Sequence, residues 1–139
     1  MRRLGVDPGS VRVGLSFMDE GAPLVVPIGT VEVVKKDVAA ATREVAEVAK
    51  RRGAEEVVVG LPLSLAGREG IAARRARRFA DSLQAQLGVP VVLWDERLTT
   101  AQAERGLREL GVGGRARREV VDQAAATLLL QSYVDAKAG

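Results

Sequence analysis

The sequence predicts an α/β domain: a five-stranded mixed sheet, a three-stranded antiparallel meander plus two parallel strands, with helices on both faces. Three observations predict it. Three short strand-like segments follow one another before Asp37, as in a meander. Beyond Asp37, amphipathic helical stretches alternate with the short apolar runs Val57-Val58-Val59 and Val91–Trp94, the rhythm of parallel strands joined by right-handed crossovers. The 139 residues, 47% hydrophobic and 28% charged, suffice for one cored domain, expected over residues 1–139, and fit one typical domain better than two.

The elements follow in order. Arg3–Asp7 reads as a strand stopped by the turn signal Asp7-Pro8-Gly9-Ser10. Val11, Val13, Leu15 and Phe17 alternate with Arg12, Gly14 and Ser16, the period of a half-buried strand. After the Gly21–Pro23 break, a third strand is expected within Ile28–Val34. Asp37 is placed to N-cap a helix through Arg51, with Val38, Ala41, Val45 and Val48 on one face and Gly53 just past its end. Val57–Val59 reads as a strand covered on both faces and Gly60–Gly67 as a loop. Residues 70–87 read as a helix with Ala72, Ala76, Phe79, Ala80, Leu83 and Leu87 inward, which turns Arg74, Arg77 and Arg78 outward. Val91–Trp94 reads as a second fully buried strand. Thr99 with Gln102 forms a capping-box pattern for a helix ending near Gly111. Gly111–Arg118 reads as a mobile loop, and a last helix runs from about Glu119 to Ala136.

Composition excludes whole classes of chemistry. The chain has no Cys and no His, so disulfides, thiolate nucleophiles, imidazole bases and zinc sites of either ligand are ruled out. It has no Asn either. Catalysis therefore rests on carboxylates, hydroxyls, Lys, Arg or a bound cofactor, and carboxylates alone favour hard cations such as Mg²⁺ or Mn²⁺. No apolar run reaches membrane-span length and no secretory signal opens the chain. A cytoplasmic protein without membrane contact is the expectation.

The net charge is +3, and its distribution says more. Residues 68–78 carry net +4 and residues 105–119 net +3, leaving −4 for the rest. Arg outnumbers Lys 17 to 4, and Arg is the bidentate reader of phosphate. A polyanion partner is expected, gripped by Arg74, Arg77, Arg78, Arg115, Arg117 and Arg118; the plainer alternative is a solvated helix face. With 3% aromatic residues the chain lacks stacking platforms, so nucleic acid would be held by backbone and shape.

Three acidic places stand out. Asp7 ends the first strand at a sharp turn, where turn chemistry alone also favours Asp. Asp95-Glu96 follows directly on the strand carrying Trp94, at a loop start or helix cap. Asp122 shares its helix face with Ala125, Ala126, Leu129 and Leu130, an expensive place for a lone charge. A salt bridge to Arg118, one turn earlier, is the structural alternative. The topology makes strand 1 central and ends it at the same sheet edge as the Trp94 strand, where ligands of such sheets gather. Three convergent carboxylates there could bind two Mg²⁺ or Mn²⁺ ions for phosphodiester hydrolysis. The two basic segments would hold the rest of the polyanion.

These residues resemble the YqgF/RuvX family. The first motif is Leu4-Gly5-Val6-Asp7-Pro8-Gly9-Ser10-Val11-Arg12-Val13-Gly14-Leu15-Ser16. Val59-Gly60-Leu61-Pro62-Leu63 with Gly67 follows, then Ala73-Arg74-Arg75-Ala76-Arg77-Arg78-Phe79-Ala80 and Asp95-Glu96-Arg97-Leu98-Thr99-Thr100. Val121-Asp122-Gln123-Ala124-Ala125-Ala126 completes a series that spans residues 4–135 in family order. The resemblance implies a ribonuclease-H-like fold related to Holliday-junction resolvases. It also implies a nuclease processing the 5′ end of pre-16S rRNA, with junction resolution as a further activity. It maps Asp7, Glu96 and Asp122 onto the metal-binding acids, with Asp95 in reserve. Ser64-Leu65-Ala66 stands where the family usually has an Asn and an Asp, and Gln123 where a Ser or Ala is usual. The first departure weighs against polar substrate contacts from that loop, and neither removes a carboxylate.

Four readings compete. A structure-selective RNA nuclease in ribosome maturation, as a monomer or weak homodimer, leads. A DNA junction resolvase with the same site follows and requires a dimer. A catalytically silent RNA-binding factor comes third. An ATP-dependent phosphotransferase of the actin/hexokinase type comes last, because it normally needs two such domains.

Overall fold

A computed structural model describes residues 1–98 and 115–138. Five strands, β1 (Arg3–Pro8), β2 (Arg12–Met18), β3 (Val25–Glu32), β4 (Glu56–Leu61) and β5 (Val91–Asp95), form one sheet in the order β3-β2-β1-β4-β5. The β1–β2 and β2–β3 pairs are antiparallel, and the β1–β4 and β4–β5 pairs are parallel. The helices are α1 (Val38–Arg51), α2 (Ile71–Gln86) and α3 (Arg115–Ala138). The expected meander, the parallel pair and the central place of β1 are all present. The expected helix from Thr99 to near Gly111 lies outside the described residues.

One face of the sheet packs Leu4, Val6, Val13, Leu15, Phe17, Val57 and Val59 against α1 and α2 through Val45, Phe79 and Leu83. The capping predictions for α1 hold: the Asp37 side chain accepts from the Ala40 N–H at 3.0 Å, and Gly53 takes the positive φ of +65° that ends the helix. The opposite face is covered by α3, whose Leu130 and Tyr133 pack on Val25 and Val58. None of the described helices is long and apolar enough to cross a membrane.

Several expectations are corrected. β2 is buried on both faces, because α3 lies over the side holding Arg12, Gly14 and Ser16. Val11 falls outside the strand and is exposed. β3 begins at Val25 and ends at Glu32, three residues and two residues earlier than expected at its ends. Its register shifts opposite Leu15/Ser16, so that Leu15 faces Gly29 and Ser16 faces Pro27. An edge strand tolerates both the bulge and the proline. β5 is half-buried throughout, since it forms the other edge of the sheet and has one neighbour. On α2, Ala73 is buried and Ala72 half-buried, and on α1 Val38 is exposed. Gly60 and Leu61 belong to β4. The last helix starts at Arg115, so residues 115–118 are helical where a loop was expected.

Candidate active site

The central row of the sheet explains how the acids are placed. Asp7, near the end of β1, pairs with Gly14 on β2. On its other side β1 pairs with β4 as far as Val6–Val59, so Gly60 stands next to Asp7 at ordinary strand spacing. Gly14 and Gly60 thus flank Asp7, and their missing side chains leave room on the α3 face.

Both spaces are filled by the other acidic segments. A Cβ placed on Gly14 would lie 2.2 Å from the Asp122 carbonyl oxygen, so α3 descends onto β2 at that point. A Cβ on Gly60 would lie 2.3 Å from Glu96 Oε1, so the Glu96 carboxylate rests on the β4 backbone beside Asp7. The helix is pinned four residues further on, where the buried Ser16 hydroxyl donates to the Ala126 carbonyl at 2.7 Å. Gly5, the partner of Ser16, faces Leu130: a Cβ there would come within 2.9 Å of the Leu130 Cβ. Asp122 lies on the helix face it was assigned, with Ala125, Ala126, Leu129 and Leu130 all fully buried.

Asp7, Glu96 and Asp122 are 1%, 0% and 1% exposed. Three carboxylates withdrawn from water at one sheet edge are costly unless partnered. Each of the three engages in interactions within the fold. Asp122 Oδ2 accepts from the Arg12 guanidinium Nε at 2.8 Å, in a pair where Arg12 is itself 8% exposed. Asp122 thus has a buried partner in Arg12, 110 residues away in sequence, and the Arg118 side chain, the expected alternative, lies outside the described residues. Among the described residues, no three acidic side chains form a ready-made cage for one metal ion.

Asp95 and Glu96 separate cleanly. Asp95 turns to Arg97, accepting from its guanidinium at 2.6–3.1 Å and from its backbone N–H at 2.9 Å. The Arg97 side-chain hydrogen bond holds the Asp95 carboxyl below the usual Asp value, against partial desolvation that pushes it up. Arg97 Nη1 also donates to the Leu65 carbonyl at 3.3 Å, linking this turn to the loop that follows β4. Glu96, the next residue, points inward onto Gly60.

The outward arginines of α2 sit on the helix that starts beyond the β4 carboxyl end, the same edge as Asp7. Arg74 and Arg78 are exposed. Arg77 is exposed but shared with Glu69 through an ion pair. The side chains of Arg115, Arg117 and Arg118 lie outside the described residues.

Sequence reasoning passed over Arg12, Gly14, Gly60 and Arg97 as site-building residues. Two of them carried a signal, since an isolated glycine in a strand marks a close approach of backbone or side chain. The Arg12–Asp122 pair had none, because nothing local to either segment links β2 to the last helix.

The comparisons with known proteins agree with this architecture. A family model described as RuvX, Holliday junction resolvase, matches residues 1–136. The chain is 46% identical over 138 residues to an Anaeromyxobacter dehalogenans protein named "Putative pre-16S rRNA nuclease", covering 99% of each. A Nocardioides protein of the same name is 49% identical over 136 residues, covering 96% of this chain and 86% of the relative. Among solved structures, T. thermophilus RuvC in complex with a Holliday junction substrate aligns with a TM-score of 0.62 at 21% identity, covering 98% of this chain and 96% of that one. Fowlpox virus resolvase with junction DNA gives 0.57 at 14% identity, covering 100% of both chains. The structural likenesses establish the ribonuclease-H-like fold. The full-length sequence matches go further: the chain belongs to the RuvX family.

Proposed function

We propose that this chain is a metal-dependent nuclease that hydrolyses phosphodiester bonds in structured nucleic acid, and that its substrate is the 5′ end of pre-16S rRNA in the cytoplasm. The observation that carries the mechanism is Glu96, wholly buried on the Gly60 backbone beside Asp7. A fold selected for stability alone has no reason to keep two carboxylates together in its interior. Family membership and relatives named for pre-16S rRNA support the activity and the substrate.

The donor set suits a hard cation. The chain has no His or Cys, and the acids at the edge offer only oxygen. Asp7, Glu96 and Asp122 would hold Mg²⁺ or Mn²⁺, as two ions; Asp95 is already engaged by Arg97 and drops behind Glu96. Bound ions would activate water and stabilise charge on the leaving oxygen. The protein's own part is to fix Asp7 at the centre of the sheet and to bury Glu96 on the neighbouring Gly60 backbone. Arg74 and Arg78 grip substrate phosphates from the outer face of α2, with Arg77 as a third contact once Glu69 yields it. Arg115, Arg117 and Arg118 at the start of α3 would add a second basic patch.

A panel of labelled pre-rRNA fragments, four-way DNA junctions and linear duplexes tests this reading in Mg²⁺, Mn²⁺ or EDTA. Cleavage of the 5′-extended precursor with either metal and none in EDTA is the expected result. Undiminished cleavage in EDTA would contradict the mechanism, and no cleavage of any substrate would favour a silent RNA-binding factor. The family description favours a second substrate, the Holliday junction. Preferential cutting of four-way DNA by a dimer would establish that reading, since resolution needs two active sites.

The basic patch has its own test. Replacing Arg74 and Arg78 with Gln is expected to weaken binding and to flatten the plot of log K against log[salt], by up to ~0.9 per lost contact on duplex DNA and ~0.7 on a single strand. An unchanged slope would leave these arginines as a solvated face.

A further inference from the structure

We propose that Arg12 sets the divalent-cation affinity of the site by competing with the cation for Asp122. The inference rests on the metal-dependent reading above. Among the described residues, three carboxylates are buried, Asp7, Glu96 and Asp122, and the one buried cation is Arg12. Arg12 opens β2, on the same face of the strand as Gly14 and Ser16 and beneath α3. The close approach of α3 at Gly14 brings Asp122 within reach of the guanidinium, and the contact is a buried charge-assisted hydrogen bond of 2.8 Å.

This pair has two opposed consequences. It compensates the buried Asp122 carboxylate, and so helps to hold α3 to the sheet. It also places a positive charge against Oδ2 of a carboxylate that would hold the dication. A dication approaching Asp122 must share or displace the guanidinium, and repulsion at such range is strong even with an intermediate dielectric. The site therefore keeps its fold without metal and binds metal more weakly than its three acids alone would.

Thermal melts across a Mn²⁺ titration test the proposal on the full chain, comparing wild type, Arg12→Lys and Arg12→Gln. A ligand that binds only the native state stabilises it by RT ln(1 + [L]/Kd), so fitting the melting shift across the titration gives the Kd for Mn²⁺, which is its half-saturating concentration. Arg12→Gln is expected to melt lower than wild type without metal, and to half-saturate at roughly tenfold less Mn²⁺. Arg12→Lys, which keeps the charge but loses the fixed fork geometry, is expected between the two. If Arg12→Gln does not fold, a lower half-saturation point in Arg12→Lys carries the proposal. Half-saturation equal to or above the wild-type value in the folded variants would overturn it and leave Arg12 a purely structural partner. A wild type that shows no response to Mn²⁺ would overturn the metal-dependent reading itself, and this proposal with it.

Discussion

Asp7→Asn is expected to abolish cleavage, by at least about 1000-fold, while the chain stays folded. Asp7 is 1% exposed on the central strand and flanked by two glycines whose missing side chains admit the Asp122 backbone and the Glu96 carboxylate. Asn matches its shape and removes only the charge. Losing one ligand of a site that must stabilise charge in the transition state removes several kcal/mol, and about 1.4 kcal/mol is a factor of ten in rate. Removing one of several buried like charges relieves repulsion, so the melting temperature of the metal-free variant is expected to match or exceed wild type. Single-turnover cleavage and a thermal melt check both halves. A variant within tenfold of wild-type activity would reduce Asp7 to a turn residue before Pro8-Gly9.

Gly14→Ala is expected to be strongly destabilising. Its Cβ would lie 2.2 Å from the Asp122 carbonyl oxygen and 2.8 Å from the carbonyl carbon. Both are backbone atoms, so the clash cannot be relieved by a rotamer change. α3 would have to lift off the sheet, straining the Ser16–Ala126 hydrogen bond and the packing of Leu130 and Tyr133. Overpacking of this kind costs about 3 kcal/mol or more, a fall of roughly 10 °C in melting temperature for a chain this size. Gly60→Ala offers the contrast. Its clash is with the end of the Glu96 side chain, so a smaller fall in melting temperature is expected, with cleavage lost because the carboxylate is displaced. Equal, small melting shifts in both variants would mean that the two glycines do not build the site.

Much of this was legible in the sequence because it is local. The turn after Asp7, the cap at Asp37 and the outward arginines of α2 each follow from a few neighbouring residues, and the structure has them. Asp122 announced itself by standing among alanines and leucines. What was not legible depends on tertiary cover. The alternation of β2 looked half-solvated, and only the position of α3 shows that Arg12, Gly14 and Ser16 are buried beneath it. The apolar run Val91–Trp94 looked interior, yet strand order makes β5 an edge. The choice between Asp95 and Glu96 turned on a hydrogen bond to Arg97 and a missing side chain at Gly60, neither of which a carboxylate pair reveals by itself. Arg12, a partner of Asp122, is 110 residues distant, beyond any one-turn rule.

On the proposed mechanism Glu96 works with Asp7, while Asp95 only anchors Arg97. Cleavage of a labelled 5′-extended 16S rRNA precursor in Mg²⁺ by wild type, Glu96→Gln and Asp95→Asn tests it most directly. Glu96→Gln is expected to fold and not to cleave, and Asp95→Asn to cleave within about tenfold of wild type, the rate factor that corresponds to ~1.4 kcal/mol. An active Glu96→Gln beside an inactive, folded Asp95→Asn would contradict it.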